Sequence, residues 1–111
     1  REFLYVEDMA RASIFINSID QKVFQETTNA TLSHINIGTG QDITIRELAE
    51  SIKKTINYKG DLFFDNSKPD GPPRKLLNIS KLKSLGWSPS ISLKEGLELS
   101  YKDYVNNHLE S

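Results

Sequence analysis

Apolar positions along this chain fall into short runs and two helical periodicities. Phe3 to Val6 is an apolar run of aromatic and β-branched character that predicts a short strand. Glu7 and Asp8 place negative charge where the first turn of a helix favours it, and the helix is predicted to run from Glu7 to about Asp20. Met9, Ala10, Ala12, Ile14, Phe15, Ile16 and Ile19 give it a face broad enough to imply burial on more than one side. Residues 21–32 are polar and Thr-rich and read as a loop, with Val23 and Phe24 as anchors. Ile35 and Ile37 alternate within residues 33–38 and predict a second strand, ended by a Gly38-Thr39-Gly40 turn.

The clearest periodicity follows. Thr44 and Glu47 have capping-box spacing, and Ile45, Leu48, Ala49, Ile52 and Ile56 form one helical stripe, with Asn57 and Gly60 as the stop. Leu62, Phe63 and Phe64 predict a third strand. Residues 65–75 form a loop whose three prolines exclude a regular helix. Ser80 is expected to cap a short helix to Leu85 that Gly86 closes. Ser92 and Glu95 repeat the capping-box spacing before a last helix. Leu93, Leu97, Tyr101, Tyr104, Val105 and His108 line one side of it, the tyrosines being expected on its buried face. Alternating short strands and three to four helices indicate an α/β chain.

Composition narrows the function classes. A chain of 111 residues is one domain by size, with a thin stability margin. Fourteen Lys and Arg against fifteen Asp and Glu give a net charge of −1, so no global field draws nucleic acid or an acidic membrane, and neither is expected as a partner. The absence of cysteine excludes disulfides and thiolate metal sites and fits a cytoplasmic setting. No apolar run approaches the length of a membrane span. No cluster has metal-ligand spacing, so no metal is expected. The chain opens on Arg1 rather than Met, inside what reads as an apolar run, so it is expected to be a piece of a larger protein.

The chemistry concentrates between Lys68 and Lys75. Lys68, Arg74 and Lys75 put three cations within eight residues, and Pro69, Pro72 and Pro73 stiffen the backbone that carries them. Asp70 adds an acceptor, and Gly71 permits a close backbone approach. Such a loop suits a ligand with phosphates and hydroxyls. Taken alone, it also reads as a solvated turn whose charges pair with one another.

The string Ser67-Lys68-Pro69-Asp70-Gly71-Pro72-Pro73-Arg74-Lys75-Leu76-Leu77-Asn78 closely resembles the S-K-P-D-G-T-P-R-K-L-L-D pattern of GDP-L-fucose synthases. Leu32 to Gly40, Thr44 to Ala49 and the Leu85-Gly86-Trp87 step are similar to the same family, as is Arg1 to Ala10, which resembles R-E-F-L-H-V-D-D-M-A. The opening motif is shared by many extended short-chain dehydrogenases, whereas the proline-rich loop is far more specific. The chain departs from the pattern at Tyr5, Glu7, Pro72 and Asn78, where His, Asp, Thr and Asp are common; none of these changes removes a cation.

The resemblance implies the C-terminal substrate-binding domain of an extended short-chain dehydrogenase, residues 1–111, without the Rossmann core. Residues 33–57 would pack with or join the Rossmann sheet of the parent enzyme. That parent would epimerise GDP-4-keto-6-deoxy-D-mannose at C3 and C5 and reduce C4 with NADPH. Its cofactor NADP(H), its Tyr-x-x-x-Lys pair and its Cys and His acid–base groups belong to the N-terminal region. The chain has no Gly-rich nucleotide turn, and Tyr101 and Tyr104 have no Lys four residues on, so no catalytic or cofactor-binding residue and no turnover are expected of it. Its implied partners are a GDP-sugar, its own N-terminal Rossmann domain and, in the parent, a second copy in a homodimer. Arg1 is implied to contact the substrate phosphates, and Lys68, Asp70, Arg74 and Lys75 to belong to the loop that closes over the nucleotide. His34 and Trp87 read as structural, the latter as a core plug, and His108 as a partner for its helix end. Without a partner strand, Ile35 and Ile37 are expected either to drive self-association or to leave their segment irregular. Two other readings remain: another nucleotide-sugar epimerase or dehydratase, and a standalone nucleotide-binding or interaction module.

Overall fold

The computed structural model describes residues 1–109. Five helices follow one another: α1 (Val6–Ser18), α2 (Gln21–Thr27), α3 (Ile45–Thr55), α4 (Ser80–Ser84) and α5 (Leu93–His108). Among the described residues there is no strand, so the strands expected at 3–6, 33–38 and 62–64 are corrected to irregular segments, the first of them running straight into α1 at Val6. Their apolar character is real, but a ladder needs two partners, and these segments find none. The nearest approach to one is at Arg1 and Ile43, which exchange both backbone hydrogen bonds at 2.7 and 2.8 Å. Residues 33–38 thus take the irregular form, one of the two outcomes expected for them.

The helix ends follow local chemistry. Thr44 and Glu47 form the reciprocal capping box at the start of α3. Its end is a Schellman turn: Asn57 adopts φ 55, its N–H donates to Lys54, and the Tyr58 N–H reaches back to Lys53. Gly86, at φ 93, closes α4 the same way, with the Trp87 N–H donating to Leu82. Two caps differ from expectation. Ser80 is the first residue of α4 and not its cap: Ile79 holds the N-cap position without a side-chain cap, and the Asn78 side-chain oxygen, one residue further out, accepts from the Ser80 N–H at 3.0 Å. Asp20 accepts from the Lys22 N–H and starts α2 in a stretch that reads as a loop.

The core is small. Ala12, Ile79 and Leu82 are its buried apolar side chains, and α3 packs on α5. Trp87 is only half-buried, and Tyr101 and Tyr104 lie 40% and 52% exposed, so α5 turns its tyrosines outward. The Cα radius of gyration is 17.6 Å, against about 13 Å for a compact domain of this length. An apolar depression of about 860 Å³ stays open between Ile14, Ile16 and Ile19 on one side and Phe24, Ile35 and Ile37 on the other. No helix among the described residues is long and apolar enough to cross a membrane.

Candidate functional site

The expected site residues come from two separate stretches, so something must hold these together. Glu2 does. Its half-buried carboxylate accepts from the backbone N–H of Thr39 and of Gly40, both at 2.7 Å, and from the Leu77 N–H at 2.9 Å. The Thr39 hydroxyl adds a fourth bond at 3.2 Å. One side chain thus ties the chain start to the 38–42 turn and to the end of the proline-rich loop. Burial pushes this carboxyl up, but the hydrogen bonds from Leu77, Gly40 and Thr39 outweigh it and hold it below its ordinary value. Gly38 is buried against the carboxylate: a Cβ there would lie 2.5 Å from Glu2 Oε1.

On this base the loop forms one wall of an open groove of about 720 Å³. Asp70, Gly71, Pro72 and Pro73 line it on one side, and Arg1 with residues 42–45 and 47 on the other. Arg1 Nη1 donates to the Pro72 carbonyl at 2.6 Å. The guanidinium lies so near Gly71 that a Cβ there would sit 2.8 Å from Nη2, so only glycine leaves that approach free. A second hollow, of about 610 Å³, shares Asp42, Ile43 and Glu47 with the groove.

The five sequence-chosen residues therefore fall into three sets. Arg1 and Asp70 line the groove. Arg74 stands at its rim with its guanidinium engaged: Nε and Nη2 meet the two oxygens of Asp42, the second at 3.3 Å. Lys68 and Lys75 are exposed, line none of these hollows and make no ion pair among the described residues. Of the remaining cations nearby, Arg46 lies 4.1 Å over the Phe64 ring. No group of three or more potential metal ligands occurs among the described residues.

Three carboxylates carry structure that the residue pattern does not announce. Glu2 and Asp42 are two. The third is Asp8, 1% exposed, which accepts from the Ile91 N–H at 2.8 Å and from the Ser90 N–H and hydroxyl, both at 3.0 Å. Burial pushes Asp8 up; those bonds and the charge of Arg11, 3.8 Å away, more than reverse it. Asp8 reads as a first-turn acid, and it is one, but its larger effect is to anchor the turn before α5. The one available signal is position: both Glu2 and Asp8 are charged residues beside an apolar run, where an unpaired charge is costly.

No family model matches the chain. Against curated proteins it is 53% identical to the GDP-L-fucose synthase of Escherichia coli and 48% identical to GDP-L-fucose synthase 1 of Arabidopsis thaliana, both over 96% of this chain. The chain is similar to the C-terminal part of GDP-L-fucose synthases. It spans about a third of the length of these relatives: 33% and 30%. Among solved structures, a GDP-6-OMe-4-keto-L-xylo-heptose reductase from Campylobacter jejuni superposes with a TM-score of 0.86 at 37% identity, over 97% of this chain and 31% of that one. A GDP-D-glycero-L-gluco-heptose synthase from the same organism, solved in the presence of NADPH, gives 0.81 at 35% identity, over 95% of this chain and 30% of that one. The GDP-L-fucose synthase resemblance carried by the proline-rich loop thus extends over nearly the whole chain, and the fold is that of the same part of extended short-chain reductases.

Proposed function

We propose that this chain is the GDP-sugar-binding portion of an NADPH-dependent enzyme that epimerises GDP-4-keto-6-deoxy-D-mannose at C3 and C5 and reduces C4, giving GDP-L-fucose. The observation that carries the reading is the 53% identity to a GDP-L-fucose synthase over 96% of the chain. The groove adds a physical reason. A stiffened loop and the arginine that touches it at Pro72 both line an open groove of about 720 Å³, which suits a phosphate-bearing ligand.

In this reading Arg1 contacts the diphosphate, Asp70 takes a ribose or sugar hydroxyl, and Lys68 and Lys75 supply ammonium groups from the same loop. Arg74 belongs to that loop as it closes over the nucleotide. The chain provides substrate binding alone. NADP(H) binding, the hydride transfer it supports and the acid–base groups belong to an N-terminal Rossmann portion. That portion would cover the apolar depression of Ile14, Phe24, Ile35 and Ile37 and engage residues 33–57. The homodimer and a cytoplasmic setting are carried over from the family on the same footing.

The test is turnover by the complete protein carrying these residues. NADPH oxidation with GDP-4-keto-6-deoxy-D-mannose, with GDP-L-fucose as product, is the expected result. A second reading rests on the solved neighbours, which are named for making or reducing GDP-heptoses. Turnover of a GDP-4-keto-heptose and not of the 6-deoxyhexose would favour it. No turnover of any GDP-sugar would end both readings.

A further inference from the structure

We infer that Asp42 is a positioning residue for the groove: through Arg74 it latches the 70–77 loop against the Arg1–Ile43 ledge, and Arg74 acts on the loop rather than on the ligand. This rests on the GDP-sugar reading for its binding readout, but the latch itself is independent of any ligand.

Three attachments hold the loop. The Arg1 guanidinium donates to the Pro72 carbonyl at 2.6 Å. The Leu77 N–H donates to Glu2 at 2.9 Å. Between them, Asp42 takes Arg74 side-on through Nε and Nη2. All three anchors lie on one ledge, because Arg1 and Ile43 exchange backbone hydrogen bonds and Glu2 binds the amides of Thr39 and Gly40. Asp42 is therefore a fixed post, next to the residue that pairs with Arg1. An exposed ion pair is ordinarily worth little, but a two-point guanidinium–carboxylate pair fixes geometry as well as charge. The hydrogen bond from Arg74 holds the Asp42 carboxyl below its ordinary value, so the pair is charged at neutral pH. Every donor that Arg74 gives to Asp42 is one it withholds from a phosphate.

The inference is sharp because electrostatics alone demands the opposite. Asp42 lines a groove proposed to take a diphosphate. If its charge acted only through space, Asp42→Asn would remove a repulsive carboxylate and tighten binding. If Asp42 is a post, the same change frees the loop and weakens binding.

In the complete protein, Asp42→Asn and Arg74→Ala are each expected to raise KM for the GDP-sugar about tenfold with kcat nearly unchanged. The double variant should be no worse than either single one, since both break one contact, and Asp42→Glu should recover part of the loss. Without nucleotide, amide hydrogen exchange at Leu77, whose N–H is held by Glu2, should accelerate in Asp42→Asn and stay as in the parent in Asp42→Glu. A lower or unchanged KM in Asp42→Asn overturns the inference. So do additive losses in the double variant, which would put Arg74 on the ligand. If no GDP-sugar is bound or turned over, the functional reading fails, and the exchange experiment alone decides the latch: unchanged exchange in Asp42→Asn overturns it.

Discussion

Glu2 and Asp8 stand six positions apart and do the same chemistry in different places. Each is a carboxylate that gathers backbone N–H groups and one hydroxyl from distant loops, and each is held ionised by them. Asp8 gathers donors from Ser90 and Ile91 alone and fixes how α1 meets the turn before α5. Glu2 gathers donors from two loops, 39–40 and 77, and those loops carry the two walls of the groove. The difference teaches that one carboxylate holds architecture and the other holds a site. Loss of Asp8 should appear in stability, and loss of Glu2 in stability and binding together.

The largest expected effect is Asp8→Ala. It leaves the Ser90 and Ile91 N–H groups without their acceptor around a carboxylate only 1% exposed, a loss of about 3 kcal/mol by the cost of unpaired buried donors. Urea unfolding of the complete protein measures it, and KM for the GDP-sugar should stay within about twofold of the parent. A comparable loss of affinity would erase the contrast with Glu2.

Gly38→Ala comes next. Its new methyl would press on a glutamate pinned by four hydrogen bonds, and overpacking of this kind costs about 2 kcal/mol. Affinity should fall with stability, because the carboxylate that moves is the one holding the groove.

Glu2→Gln keeps the shape and one acceptor oxygen while removing the charge. A loss of about 1 kcal/mol is expected in unfolding, with a several-fold rise in KM.

Acid sets a subtler test. Both carboxyls titrate lower in the folded chain than their ordinary 4.5 and 3.8. As pH falls through those ordinary values, the unfolded state takes up protons first, so stability present at neutral pH is lost progressively until the folded values are passed. The acid limb of a stability–pH curve should be shallower in Glu2→Gln from about pH 4.5 downward, and in Asp8→Asn from somewhat lower pH. Parallel curves for parent and variants would mean that these hydrogen bonds do not discriminate between protonation states.

What the residue pattern made legible is what depends on neighbours along the chain. The Thr44–Glu47 box, the α3 stripe, the Ser92 cap and the Gly86 stop all act within five residues or so, and all appear. At Ser92 only half of the expected box forms among the described residues: its side chain accepts from the Glu95 N–H. The loop of residues 65–75 was legible for the same reason, since proline excludes helix locally. What the pattern missed depends on distant partners or on weak local signals. The three expected strands are apolar runs without a ladder. Helix α2 hides in a Thr-rich stretch whose start is a single Asp20 cap. The roles of Glu2, Asp8 and Asp42 arise from contacts at least 32 residues away along the chain. Arg74 shows the consequence most plainly: its type and place in the loop point to phosphate, while its geometry ties it to a carboxylate.

The central claim is that the groove between Arg1 and the 70–73 loop binds a GDP-sugar, and calorimetric titration of GDP-L-fucose into the complete protein tests it most directly. Binding by the parent, weakened at least about tenfold in Arg1→Ala, as expected for loss of a charge-assisted contact to phosphate, is the result this account requires. Equal affinity in parent and Arg1→Ala would contradict it, because the guanidinium that lines the groove beside Pro72 would then have no part in holding the ligand.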